Sequence, residues 1–199
     1  MSTLPIPAVA PQLRLSRARV PLDLPKGLFG RLLAWYSRRT YNAVLEPGLA
    51  MAHNRRVLMA HVGFERKVAR YRALGDHLTT LATMAAAAKI ECSWCLDYGY
   101  YEGHHRGIDP AKLRDVPCWR ESTVYTESER RVLEYAEAMT ATPVRVTDEL
   151  AGALRTDLGL PAFVELTHLV SLENLRSRFN SALGLASQGF SETCRVPTR

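Results

Sequence analysis

Four cysteines in 199 residues are too few for a secreted disulfide scaffold. The amino terminus also lacks the basic, then apolar, then small-residue design of a signal peptide. Both absences lead to the expectation of a cytosolic protein. No apolar run reaches the roughly 18 residues that a helical membrane span needs. The nearest approach, Leu81 to Ala88, is short and rich in alanine, which reads as a closely packed internal helix. Strand-like alternation is nearly absent, and no internal repeat is evident. Acidic residues are in the minority, so the formal net charge is +6. The basic residues fall in scattered groups, at Arg14 to Arg19, Arg38-Arg39, Arg55-Arg56, Arg66 to Arg72 and Arg130-Arg131. None of these alternates with aromatic stacking residues, so they read as a solvated surface rather than a nucleic-acid site.

What is present is helical spacing. With 47% apolar and 23% charged residues, the chain can build one full core, or one core with an appendage. Residues 1–25 carry Pro5, Pro7, Pro11, Pro21 and Pro25 and little periodicity, so they are expected to form an extended arm. Residues 26–199 are expected to form a single all-α helical bundle. Leu28, Leu32, Trp35 and Tyr36 mark a first helix, and Val57, Leu58, His61, Phe64 and Val68 a second. An alanine-rich helix follows over about 76–89, and another begins at or just before Cys92 and stops near Gly103 or Gly107. Residues 110–125 read as turn and loop with at most a short helix. Thr126 and Glu129 have capping-box spacing and open a helix that carries Val132, Leu133, Tyr135, Ala136 and Met139. Asp148-Glu149 start the next helix, which ends at Gly159. Pro161 sits where a first-turn proline belongs, ahead of a long segment to about Leu185.

The chemistry is concentrated in Cys92-Ser93-Trp94-Cys95. Two thiols three residues apart on a helix share a face, with Cβ atoms roughly 5–6 Å apart, so a modest adjustment closes a disulfide. If Cys92 lies in the first turn, the partial positive charge of the unpaired N–H groups favours its thiolate. Two other readings stay open: packing of two small apolar side chains in the core, and zinc. Zinc lacks partners in the sequence, because Cys118 and Cys194 are single and distant and there is no second CxxC.

Glu91-Cys92-Ser93-Trp94-Cys95-Leu96-Asp97 after an alanine-rich helix is one part of a wider pattern. Upstream stand Met51-Ala52-His53-Asn54 and Val57-Leu58, and downstream Val164-Glu165-Leu166-Thr167 and Arg178-Phe179-Asn180. Together these resemble the carboxymuconolactone decarboxylase superfamily, in particular its alkylhydroperoxidase D-like (AhpD-like) branch, over roughly residues 53–190. The resemblance implies an all-helical AhpD-like bundle that assembles as a homo-oligomer. It also implies a dithiol that reduces hydroperoxides, with Cys95 attacking the peroxide and Cys92 resolving the sulfenic acid as a disulfide. An external dithiol reductant then resets the pair, and the scheme calls for no cofactor and no metal.

The family's peroxidases add a proton relay, a histidine four residues after the second cysteine and a glutamate twelve before the first. Here those places hold Gly99 and Thr80. Such a relay commonly contributes about 10²- to 10⁴-fold in rate. Nearby substitutes are Tyr98, Glu102, His104 and His105. Two further readings therefore accompany the peroxidase: a non-catalytic or redox-sensing oligomer of the same fold, and a lactone decarboxylase, against which retention of both cysteines argues. Glu102 with His105, and Glu165 with His168, also have the ExxH spacing of di-iron bundles. The remaining histidines, His53, His61 and His77, read as packing, junction or surface groups.

Overall fold

The computed structural model describes the backbone of residues 18–194 and the side chains of residues 18–192. Most of the expected arm, residues 1–17, and the side chain of Cys194 lie outside the described residues. Among those described, the chain is all-α, with eight α-helices and no strand. None of these helices is long and apolar enough to cross a membrane. The chain forms two compact units, one of residues up to Arg70 together with Asn180–Ala186, the other of Tyr71–Phe179 with residues from Ser187 onward.

The first unit holds α1 (Leu28–Tyr41), α2 (Glu46–Ala52) and α3 (Arg55–Val68). α1 forms where its spacing predicts, yet it buries Gly30, Ala34 and Ser37 while Leu28, Leu32 and Trp35 are 70%, 55% and 64% exposed. Gly30 is required by a close approach, since a Cβ there would fall 1.7 Å from the carbonyl oxygen of Pro25. Ser37 donates its hydroxyl to the Ala43 carbonyl at 2.8 Å and accepts the Leu45 N–H at 3.2 Å, which folds the chain back toward α2. α2 escapes the periodicity reading because it is only seven residues long, opening on Glu46-Pro47. Asn54 starts α3 by accepting the N–H groups of Arg56 and Val57, at 3.1 and 3.4 Å. His53, at the junction of α2 and α3, donates from Nε2 to the Pro21 carbonyl at 2.8 Å, and the Arg19 N–H reaches the Leu183 carbonyl at the same distance.

The second unit is built around α4 (Asp76–Ile90), whose Leu81, Ala82, Ala85, Ala86 and Ala87 are 0–1% exposed. Methyl-sized side chains let its neighbours approach closely, and α5 (Ser93–His105) and α7 (Glu127–Thr140) both pack on it. Between these lie α6 (Pro110–Asp115), started by the Asp109 side chain accepting the Ala111 N–H at 2.8 Å, and a 3-10 turn over Val116–Cys118. Cys118 is exposed at the end of that turn. α8 (Asp148–Ala182) breaks at Gly159, where φ is 76° and ψ 162°, and Pro161 opens its second segment as its spacing predicts.

Thr126 and Glu129 form the expected capping box on α7, and Glu129 does more than cap. It is 5% exposed, and its carboxylate accepts Lys112 Nζ and His77 Nε2, each at 2.5 Å, besides the Thr126 N–H at 2.7 Å. Burial pushes its pKa up, but the bonds from Lys112, Thr126 and His77 outweigh burial and hold it down at about 2, below the ordinary 4.5. A carboxyl with a depressed folded-state pKa stabilises the fold above its unfolded value and loses that contribution as pH falls toward the folded one. Glu129→Gln is therefore expected to cost about 2 kcal/mol in urea unfolding at neutral pH. The gap between variant and wild type should close between about pH 4.5 and pH 2. A gap that persists unchanged through that window would contradict the assignment.

Candidate active site

Cys92 sits in the two-residue turn that joins α4 to α5. Glu91 adopts left-handed backbone (φ 62°, ψ 34°), and the N–H groups of Glu91 and Cys92 return to the carbonyls of Ala88 and Ala87, each at 3.0 Å. Left-handed backbone costs a non-glycine residue of order 1 kcal/mol. The turn places Cys92 as the N-cap of α5, just ahead of the first turn rather than inside it. Its Sγ accepts the Cys95 N–H at 3.3 Å, the job a serine or aspartate does at most N-caps.

The two Sγ atoms lie 2.7 Å apart. Both cysteines are free and buried, Cys92 at 1% exposure and Cys95 at 9%. Cys92 accepts an N–H and stands at the positive end of a helix, which favours negative charge on its sulfur. The contact with Cys95 lowers the Cys92 pKa, against the opposing effect of burial, and the Cys95 N–H and Ser177 add to it. The Cys95 thiol is pushed up, first by the same contact and then by burial and the negative charge of Glu173.

The second segment of α8 supplies the rest of the site. Glu173 is 5% exposed, Ser177 is fully buried one turn later, and the Ser177 hydroxyl donates to Glu173 Oε1 at 2.7 Å. The Glu173 carboxylate also accepts the Cys95 thiol, and Arg176 Nη1 stands 3.4 Å from its Oε2. Cys92, Cys95, Glu173 and Ser177 thus lie in one buried group, with hydrogen bonds between Cys92 and Cys95 and between Ser177 and Glu173. Motif spacing did not single out Glu173 or Ser177.

The family's relay positions are filled by packing. A Cβ on Gly99 would come 2.8 Å from Met84 Cγ, so methionine occupies the space a histidine side chain would need. Thr80 is buried, and its hydroxyl donates to the Asp76 carbonyl of its own helix at 2.9 Å. The nearby substitutes point to other partners. Tyr98 donates to Glu102 at 3.4 Å, Glu102 pairs with Arg106 at 3.6 Å, and His105 Nδ1 meets the Tyr101 carbonyl at 2.8 Å. His104 stacks on Tyr100. Tyr98 itself stacks on Trp94 at 5.2 Å and packs edge-on against Phe190.

Glu165 and His168 do not act as an ExxH pair. The two carboxylate oxygens of Glu165 accept the Ala73 and Leu74 N–H groups, each at 3.1 Å, while His168 packs edge-on against Tyr71. Among the described residues no group of three or more His, Cys, Asp or Glu is placed to hold a metal ion.

Comparison with known proteins gives the family and the fold. Residues 57–138, from α3 through most of α7, match the model of the carboxymuconolactone decarboxylase family. The uncharacterized Escherichia coli (strain K12) protein YnjA is 33% identical over 183 residues, covering 92% of this chain and 96% of that one. A solved structure described as an alkylhydroperoxidase AhpD core, an uncharacterized peroxidase-related protein from Ralstonia eutropha JMP134, superposes with a TM-score of 0.76. Its identity is 16%, over 92% of this chain and 98% of that one. The debrominase Bmp8, as its C82A variant in complex with 2,3,4-tribromopyrrole, gives a TM-score of 0.75 at 15% identity, over 88% and 96% of the two chains. On this evidence the chain belongs to the carboxymuconolactone decarboxylase family and has the AhpD-like helical fold.

Proposed function

We propose that this protein is a thiol-dependent oxidoreductase that reduces hydroperoxides through a Cys92–Cys95 dithiol/disulfide cycle. The observation that carries the reading is the pair of buried Sγ atoms 2.7 Å apart at the N-terminus of α5. Cys95, the more exposed of the two, is the attacking sulfur. Its thiolate displaces alcohol from the hydroperoxide: an S–O bond forms, the O–O bond breaks, and the alkoxide takes a proton. Cys92, the sulfur that more readily holds negative charge, then attacks the Cys95 sulfenic acid. The S–S bond forms, the S–O bond breaks, and hydroxide leaves as water after taking a proton. Two electrons pass from the dithiol to the peroxide, and an external dithiol restores them.

Family membership and the AhpD-like fold support this chemistry. The exposed stripe of Leu28, Leu32 and Trp35 on α1 supports association into a homo-oligomer. The missing histidine and glutamate favour a second reading, a redox sensor of the same fold. The two readings separate when the reduced protein is titrated with hydrogen peroxide and an organic hydroperoxide while intact mass and free thiols are followed. A peroxidase loses two hydrogens per chain rapidly and turns over when a dithiol is supplied, whereas a sensor oxidises once without turnover. A pair that stays reduced, or that oxidises no faster than Cys118, would overturn the dithiol cycle.

A further inference from the structure

Building on the dithiol reading, we propose that Glu173 is a catalytic residue, the proton carrier of the Cys95 thiol in place of the family's histidine–glutamate relay. The carboxylate takes the proton of the Cys95 thiol as that sulfur attacks the hydroperoxide. It returns the proton to the alkoxide released when the O–O bond breaks, so it ends the step in the state in which it began.

Three observations bear the assignment. Glu173 touches the reacting sulfur, since its carboxylate accepts the Cys95 thiol. It is held in register by the fully buried Ser177 hydroxyl, which reaches both it and the two cysteines. A carboxylate at 5% exposure is expensive, and against that cost stand the Ser177 hydroxyl at 2.7 Å and the Arg176 guanidinium at 3.4 Å. The groups at Thr80 and Gly99 are packed away from this role, by the Asp76 carbonyl and by Met84. The charged and titratable groups that face Glu173 are Cys95 and Cys92 from α5 and Arg176 from its own helix. Burial holds its pKa above the ordinary carboxylate value, although Arg176, Ser177 and Cys95 pull against it, and a carboxylate of raised pKa is a better acceptor for a thiol proton.

The test compares Glu173→Gln and Ser177→Ala with the parent in two single-turnover measurements, from about pH 5 to about pH 10. One is oxidation of the reduced pair by cumene hydroperoxide. The other is alkylation of Cys95 by iodoacetamide in a Cys92→Ser background, read by intact mass. Glu173→Gln is expected to slow both by about 10²-fold at neutral pH. It should also replace a flat neutral-pH profile of alkylation with a rise of about tenfold per pH unit, because the buried thiol must then lose its proton to hydroxide. Ser177→Ala, which leaves the carboxyl in place, should give a smaller loss in the same direction and covers the case in which Glu173→Gln fails to fold. Alkylation in Glu173→Gln as fast as in its parent, or faster, would overturn the proposal; a faster rate is the result if Glu173 acts only by repelling the Cys95 thiolate. A parent that shows the flat, Glu173-dependent alkylation profile but is not oxidised by hydroperoxide would overturn the peroxidase reading and uphold the proton carrier.

Discussion

Cys95→Ser is expected to lower steady-state hydroperoxide reduction, with dithiothreitol as reductant, by at least about 10³-fold, the scale on which removal of a nucleophile acts. The loss is chemical rather than structural. Serine is nearly isosteric with cysteine, and its hydroxyl can donate to the carboxylate of Glu173 as the Cys95 thiol does. Folding stability should therefore change by about 1 kcal/mol or less. Cys92→Ser has a different signature, because the first step needs only Cys95. That variant should consume one equivalent of hydroperoxide and stop as a sulfenic acid on Cys95, which dimedone traps and mass spectrometry reads. Sulfenic acid trapped instead on Cys92 in the Cys95→Ser variant, at the wild-type rate, would reverse the two roles. Turnover that survives both substitutions would end the dithiol mechanism.

The asymmetry behind these outcomes lies in three bonds. Cys92 Sγ accepts a backbone N–H and touches the Cys95 sulfur, while the Cys95 thiol faces a carboxylate. A buried dithiol arranged in this way favours negative charge on the resolving sulfur and leaves the attacking one in need of a base.

Much of this was legible in the sequence, and the parts that were not have particular causes. The capping box at Thr126 and Glu129, the glycine–proline break at Gly159 and Pro161, and the alanine-rich helix before the dithiol are local signals, and each appears where its residues place it. Helical spacing finds α1 but leaves its environment open, because period alone cannot tell a stripe facing the core from one left outside: Ala34 and Ser37 are buried while Trp35 between them is exposed. The dithiol was legible because its two sulfurs are near in sequence. Its proton partner was not, because Glu173 lies far along the chain and only the tertiary fold brings it to the dithiol. A faint signal existed. Leu166, Leu169, Val170, Glu173 and Ser177 follow one helical stripe and all are buried, so a glutamate and a serine stand where the period calls for apolar side chains. Polar residues on a core-facing stripe mark either a buried network or a site, and periodicity alone cannot say which.

Asp97→Ala is expected to release the segment over residues 187–191 and to cost about 3 kcal/mol of stability. Asp97 follows the dithiol on α5 and is 6% exposed. Its Oδ2 accepts the N–H groups of Gly189 and Phe190, at 2.8 and 3.0 Å, and its Oδ1 accepts that of Ser191 at 2.7 Å. One carboxylate thus takes the place of the ladder or helix partners that three consecutive amides would otherwise need. Bonds to a charged acceptor contribute about 1.5–3 kcal/mol each, and three orphaned amides kept in place would cost more than the whole segment gains. The cheaper response is for the segment to lift into water, which caps the loss. What is then forfeited is its own packing: the Trp94 Nε1–H bond to Gln188 at 2.8 Å and the edge-on contacts of Phe190 with Trp94 and Tyr98. Burial of one aromatic side chain and one hydrogen bond sum to about 3 kcal/mol. Release is distinguishable from a general loosening by amide exchange. The amides of residues 189–191 should lose protection while those in the middle of α4 keep it down to the new global stability, and Trp94 fluorescence should shift to the red as its ring meets water. Protection at residues 189–191 that survives the substitution would show that aromatic packing alone holds the segment over α5, with Asp97 dispensable to it.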